Sequence, residues 1–221
     1  SLLNMDPIDL RLINAVQEGD RMPNGVRHPK IGCIELEEAM KEHPHYKEKL
    51  NNSNQGRGIA VGYRWQGGQV SSATINVNTD GTITLITGSV DIGGSRTAVA
   101  MQAAEILGLS SEDVSPIVAD TDMVGYTANT GGSRTAYDTG LAAIEAANLV
   151  ISEMKSRASL IWEVQPEDIE FKQGIFKCIK NSDDQFTFKE LARRQMGSGG
   201  PITCSASATS CLLYTSDAAD E

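Results

Sequence analysis

The chain has 221 residues, enough for one sizeable domain or two small ones, and its 40% hydrophobic and 22% charged content is typical of globular proteins. Its net charge of −10 repels a nucleic-acid backbone and argues against a basic binding face. No apolar run approaches the roughly 20 residues that span a bilayer, and no signal-peptide pattern opens the chain.

Asp6-Pro7 reads as a helix start, a carboxylate N-cap followed by proline at the first helical position, with Ile8, Leu12, Ala15 and Val16 at helical spacing. Pro23-Asn24-Gly25 is a turn. A second helix is predicted from about Ile34 to His43, stopped by Pro44, which lacks an N–H and disfavours helix in its predecessor. The polar, glycine-bearing stretch from Asn51 to Gly58 marks a boundary, which places a helical lead-in at residues 1–55.

A β region follows. Ile59 to Trp65 reads as a strand and Gly67-Gly68 as a turn. Ala73, Ile75 and Val77 alternate with polar residues, Asp80-Gly81 supplies a hairpin turn, and Ile83 and Leu85 resume the alternation. A buried helix is expected over Thr97 to Leu107, capped by Gly108. A strand is expected over Val114 to Ala119, and a long helix from near Tyr137 to about Trp162. Strands at Ile169–Phe171 and Ile175–Ile179, a short run at Phe186–Phe188, and a capping-box helix from Thr187 through Arg194 complete an α+β order.

Residues 201–221 read differently. From Thr203 to Ser210 the chain is small, polar and without periodicity, and Cys211 to Glu221 matches no capped strand or helix. This tail reads as foreign to the fold, resembling translated read-through, and the whole stretch reads as a piece of something longer. The four cysteines, Cys33, Cys178, Cys204 and Cys211, form no C-x-x-C pair. They are expected as free thiols of a reducing compartment, and hence of the cytoplasm.

Six residues occur twice. Gly93-Gly94-Ser95-Arg96-Thr97-Ala98 returns as Gly131-Gly132-Ser133-Arg134-Thr135-Ala136, 38 residues later. Each copy follows a strand-like run and opens a helix-like one. Glycines let backbone approach a ligand, a helix N-terminus presents unpaired N–H groups, and Ser, Thr and Arg add donors that suit phosphate. One copy alone is as well explained by a tight turn, but a turn requires glycine and not an identical Ser-Arg-Thr-Ala. The pair therefore suggests a clamp on a large phosphorylated ligand. Neither copy is Gly-x-Gly-x-x-Gly or a P-loop, which disfavours the usual dinucleotide and triphosphate folds.

Other chemistries have weaker support. A serine nucleophile needs a histidine, and His28, His43 and His45 all lie in the lead-in. His43-Pro44-His45 lacks a completing ligand cluster and reads as a solvated helix end. Asp120 and Asp122 end a strand, where paired carboxylates can do acid–base or metal work but more often cap a loop.

Several ordered motifs carry a resemblance. Gly56-Arg57-Gly58-Ile59-Ala60-Val61-Gly62-Tyr63, the hairpin, Thr87 to Ser95, and Asp120 through Gly140 are similar to the xanthine dehydrogenase/aldehyde oxidase family, in its molybdopterin-binding large subunit. Asn4 to Ala15 resembles the end of that family's first molybdenum domain, and residues 56–200 resemble the beginning of the second, incomplete here. The resemblance implies that Gly93, Gly94, Ser95, Arg96, Thr130, Gly131, Gly132, Ser133, Arg134 and Thr135 bind the pterin phosphate of a molybdenum–molybdopterin cofactor or its cytosine dinucleotide form. It implies a molybdenum-dependent oxidoreductase that hydroxylates an aldehyde or N-heterocycle with oxygen from water. Electrons would pass to iron–sulfur and FAD groups on partner subunits or domains.

Two departures matter. Gly94 stands where the family often has a glutamine beside the cofactor, and Arg96 or Arg134 is the candidate to compensate electrostatically. The family's catalytic glutamate lies beyond the region matched, so no Glu of this chain takes that role, no catalytic residue or protein metal ligand is assigned, and the piece alone is expected to be inactive. The competing readings are a non-catalytic domain that binds a phosphorylated metabolite or nucleotide, and a structural module whose glycines only make turns.

Overall fold

The computed structural model describes residues 2–62 and 68–209. The chain divides into two compact units, residues 1–63 and 64–221.

The first unit is helical. Helix α1 (Pro7–Ile13) starts where the Asp6 carboxylate accepts from the N–H groups of Ile8 at 2.8 Å and Asp9 at 3.3 Å. Helix α2 (Cys33–Glu42) is tied to it by the Lys41–Asp9 ion pair. Pro44 ends α2 and also opens a short helix α3 (Pro44–Lys47), because a proline without an N–H costs nothing at the first helical position. His43 Nδ1 accepts from the backbone N–H of exposed His45 at 3.2 Å, a helix-cap contact. The Tyr46 hydroxyl donates to Asp6 at 2.6 Å; this bond is the leading cause holding the Asp6 carboxyl below its ordinary range. The strand expected over Ile59 to Trp65 is corrected over its first four residues: Ile59–Gly62 carries no ladder. Glycines at 56, 58 and 62 weaken extended pairing there. Tyr63 to Trp65, and Gly67 of the expected turn, lie outside the described residues.

The second unit is built on a four-stranded sheet of β1 (Ser71–Val77), β2 (Ile83–Thr87), β3 (Val114–Val118) and β7 (Ile202–Ala208), in the order β3-β2-β1-β7. Strands β1 (Ser71–Val77) and β2 (Ile83–Thr87) form the expected hairpin, with Gly81 at φ +85° in its turn. Strand β3 (Val114–Val118) runs parallel to β2, and helix α4 (Ser95–Leu107) makes the crossover between them. Pro116 is tolerated because β3 is an edge strand. Helix α5 (Thr135–Trp162) starts two residues before the predicted Tyr137.

Helices α4 and α5 pack with the sheet around one core. Ala73, Ile75, Val77, Ile83 and Leu85 from the strands meet Val99, Ala103, Leu107, Ala142, Ala146 and Val150 from the helices. The other face of the sheet is polar over β1 and its partner strand at residues 202–208, with Thr74 bonded to Ser205 at 2.7 Å and Thr203 to Asn76 at 2.9 Å, while Ile86 and the exposed Ile117 lie on it over β2 and β3.

Strands β4 (Ile169–Lys172), β5 (Ile175–Cys178) and β6 (Gln185–Thr187) form a small antiparallel sheet. The capping box between Thr187 and Glu190 then opens α6 (Phe188–Ala192).

The reading of residues 201–221 as a tail outside the fold is corrected for its first part. Strand β7 (Ile202–Ala208) pairs antiparallel with β1 along its whole length, from Val77↔Ile202 to Ser71↔Ala208. Cys204, Ala206 and Ala208 pack on the core while Thr203, Ser205 and Ser207 are exposed. The alternation is present, but residues this small carry too little contrast in hydrophobicity to show it. The alanine-rich face of α5 makes small residues the ones that fit beneath it. Burial raises the pKa of the Cys204 thiol. Residues 210–221, including Cys211, lie outside the described residues.

Candidate functional site

Because β2 and β3 are parallel neighbours, their C-terminal ends lie at the same end of the sheet. The loop leaving β2 carries the first glycine copy into α4, and the loop leaving β3 carries the second into α5. The crevice outside the carboxyl ends of parallel strands is the usual place for a ligand in open sheets of this kind. The two loops also touch, since the Thr130 hydroxyl donates to the Val90 carbonyl at 3.1 Å.

In the first copy, Gly93 and Gly94 take φ of +64° and +84°, and α4 begins at Ser95. A Cβ at either glycine would meet nothing within 4 Å, so the glycines are required by conformation and leave their backbone open to approach. Asp91 caps the helix from upstream: its carboxylate accepts from the Arg96 backbone N–H at 2.9 Å and from the Ser95 hydroxyl at 3.1 Å. The Arg96 N–H, and secondarily the Ser95 hydroxyl, hold the Asp91 carboxyl below the ordinary carboxylate range. Arg96 and Thr97 are exposed.

The second copy folds in a different register. Gly132 and Ser133 hold the positive φ values, +67° and +58°, and α5 begins only at Thr135. Arg134 is 2% exposed and its guanidinium is turned into the protein. It donates to the carbonyls of Ala128 and Asn129 and to Ser71 Oγ, and lies 3.6 Å from the buried carboxylate of Asp138. Asp138 in turn accepts from the Gln69 N–H at 3.0 Å. The expectation that Arg134 reaches a ligand with its charge does not agree with this geometry, because protein acceptors surround the group.

A small cleft opens between the loops. Ser89, Ser95 and Arg96 line it from the first side and Thr135 and Thr139 from the second, over a floor of Leu85, Val99 and Pro116. The cleft is small, about 10 Å³, room for roughly one water. The Ser95 hydroxyl and Arg96 N–H are given to Asp91, Thr139 to Ser71, and Ser89 is paired with Thr139, so the donors at its mouth that suit an oxyanion such as a phosphate are the exposed Arg96 guanidinium and the Thr135 hydroxyl. Beside the cleft the two helices close up at Gly140, where a Cβ would fall 1.9 Å from Gln102 Oε1. Gln102 Nε2 donates to the Ala136 carbonyl at 3.2 Å.

Ser71, Ser89, Asp91, Asp138 and Thr139 belong to the site although sequence reasoning did not select them. One signal was available: Asp138 lies four residues after Arg134, the helical spacing of an ion pair, whereas Ala100 lies four after Arg96. Of the remaining candidates, Asp120 accepts from the Asp122 N–H at 3.0 Å, the geometry of a loop cap. His28, His43 and His45 all belong to the first unit.

Residues 36–220 match the family model described as molybdopterin cofactor-binding domain. The chain is similar to the putative xanthine dehydrogenase molybdenum-binding subunit XdhA of Escherichia coli K12, with 27% identity over 206 residues that cover 86% of this chain and 27% of the relative. It is similar to the 6-hydroxypseudooxynicotine dehydrogenase complex subunit gamma of Paenarthrobacter nicotinovorans, with 30% identity over 126 residues, 57% of this chain and 16% of that one. Among solved structures, a Cu,Mo-CO dehydrogenase aligns over 63% of this chain and 18% of its own, with 26% identity and a TM-score of 0.57. Quinoline 2-oxidoreductase of Pseudomonas putida 86 shares the fold over 94% of this chain and 30% of its own, with 22% identity and a TM-score of 0.59. The chain thus spans about a quarter of the length of XdhA, 27%.

Proposed function

The chain belongs to the molybdopterin cofactor-binding domain family, and from that premise we propose that its two loops hold the phosphate end of one molybdopterin in a molybdenum hydroxylase subunit. The observation that carries this is a cleft lined from both glycine loops, with Ser95 and Arg96 of the first copy on one side and Thr135 of the second copy, with Thr139 just beyond it, on the other. The donors that suit the group are the Arg96 guanidinium, the Thr135 hydroxyl, and glycine backbone at Gly93 and Gly94 with no side chain in the way.

In this reading Gly93, Gly94, Ser95 and Arg96 form the first wall, and Thr130, Gly131, Gly132, Ser133 and Thr135 the second. Arg134 contributes by holding the second wall rather than by contact. When bound, the cofactor supplies a molybdenum centre carried on its own dithiolene sulfurs, at which a substrate carbon is hydroxylated with oxygen from water. This chain's residues bind and orient it. The Arg96 guanidinium offsets phosphate charge, the Thr135 hydroxyl donates to a phosphate oxygen, and the apolar floor of Leu85 and Val99 keeps water from beneath them.

The same reading assigns residues 1–55 to the end of a first molybdenum domain and the rest of the matched chain to a second. It places this chain in a longer cytoplasmic subunit that acts on an aldehyde or N-heterocycle. Iron–sulfur and flavin partners would accept the electrons, and the cofactor would be molybdopterin or its cytosine dinucleotide. The relatives, a molybdenum-binding subunit and a complex subunit, support a multi-subunit setting. The chain by itself is not expected to turn over. The test is to purify the subunit containing this chain and measure molybdenum, pterin and nucleotide together. Stoichiometric molybdenum with pterin is expected. A bound phosphorylated metabolite without molybdenum would overturn the reading in favour of a non-catalytic binding domain.

A further inference from the structure

Beneath the cleft the two loops are joined by buried hydrogen bonds that centre on one cation. Arg134 Nη1 donates to Ser71 Oγ at 2.8 Å, and Thr139 Oγ1 donates to the same oxygen at 3.1 Å. Ser89 Oγ lies 2.8 Å from Thr139 Oγ1. Ser89 is in the first loop, Ser71 on β1, Thr139 on α5, and all are buried. The other arms of the guanidinium hold the main-chain oxygens of Ala128 and Asn129, where the chain turns into Thr130–Ser133. A planar fork of five N–H donors can serve acceptors in these several directions at once; the point charge of a lysine cannot.

We infer that Arg134 is a positioning residue for the cofactor site. It fixes the course of residues 128–133 and, through Ser71 and Thr139, sets the second loop against Ser89 of the first, without touching the ligand. This rests on the reading that the loops hold a molybdopterin. Arg96 is the internal control: it has the same five neighbours in sequence, yet it is exposed and lines the cleft.

The experiment compares the wild-type subunit with R134M/D138N, R134K, S71A and R96M. The paired change avoids leaving a buried carboxylate opposite an apolar side chain. Two quantities are read: amide hydrogen exchange of residues 128–133 in cofactor-free protein, and retained molybdopterin measured as its fluorescent oxidation product. R134M/D138N is expected to speed exchange in 128–133 by about tenfold or more and to lower retention by a similar factor, with α4 amides unchanged. R134K should fall between it and wild type, S71A should shift both readings the same way by less, and R96M should leave the exchange unchanged.

Loss of molybdopterin with unchanged exchange would make Arg134 a ligand contact and overturn the inference, as would no change in either reading. If wild-type protein holds no molybdopterin, the cofactor reading fails, while the exchange comparison still decides whether Arg134 shapes the loop. If the double variant does not fold, S71A and R134K decide in its place, and unchanged exchange in both overturns the inference.

Discussion

The two copies of Gly-Gly-Ser-Arg-Thr-Ala are identical in sequence and opposite in use. In the first, the arginine points outward, the helix begins at the serine, and the positive-φ pair is Gly93-Gly94. In the second, the arginine is buried, the helix begins at the threonine, and the pair is Gly132-Ser133. The cause lies just outside the repeat. Five residues before Arg96 stands Asp91, which takes its backbone N–H; five before Arg134 stands Asn129, whose carbonyl takes the side chain. Four residues after Arg96 stands Ala100, and four after Arg134 stands Asp138. A short motif therefore names the groups present, and its flanks decide which way they face.

The largest expected effect separates the two arginines. Arg134→Met should destabilise the chain by about 3–5 kcal/mol, because it removes one partner of a buried ion pair. Arg96→Met should stay within about 0.5 kcal/mol, as exposed substitutions do. Urea unfolding of both variants measures this, and equal losses would break the comparison.

A smaller contrast tests the shifted register. Gly93→Ala should cost about 1–2 kcal/mol, since φ is +64° and an L side chain is strained there. Gly131→Ala should be near neutral, because Gly131 is not among the positive-φ glycines and the nearest atom to its Cβ is the movable Asn129 side-chain nitrogen at 3.2 Å. Equal costs would mean that the two copies share one backbone conformation.

The smallest effect is the pH dependence of the first copy's cap. The folded Asp91 carboxyl titrates below its ordinary value, so its stabilisation is present above the unfolded carboxylate range and is lost as pH falls through the folded pKa. Wild type should exceed Asp91→Asn in stability at pH 6, and the gap should close on acidification. Thermal unfolding midpoints measured from pH 6 downward test the sign; a gap that widens in acid would show that Asp91 is not the cap.

Much of the architecture was legible because it is written in strong local signals. Asp6-Pro7, Asp80-Gly81, Gly108 and the Thr187–Glu190 box each sit at the helix end or hairpin turn they announced. β7 was not legible, since Ile-Thr-Cys-Ser-Ala-Ser-Ala has the alternation of a strand without its usual hydrophobic contrast. The run from Ile59 to Gly62 failed in the opposite sense: it has β-forming residues and no ladder. At the candidate site, the glycines and hydroxyls of the repeat stand out in the sequence because they recur together. Ser71 and Ser89 do not, because isolated serines in or beside strands carry no pattern of their own.

What the sequence by itself determined is the pair of glycine-bearing strand-to-helix joints, since turn residues, caps and hydrophobic period act over a few neighbouring positions. The tertiary structure alone decided that these joints meet. Pairing β2 with β3 in parallel places both at one end of the sheet, and the buried bonds from Ser89 through Thr139 and Ser71 to Arg134 join residues up to 68 positions apart. Contacts over such separations depend on which strands pair and which side chains lose water together, and no local pattern encodes that.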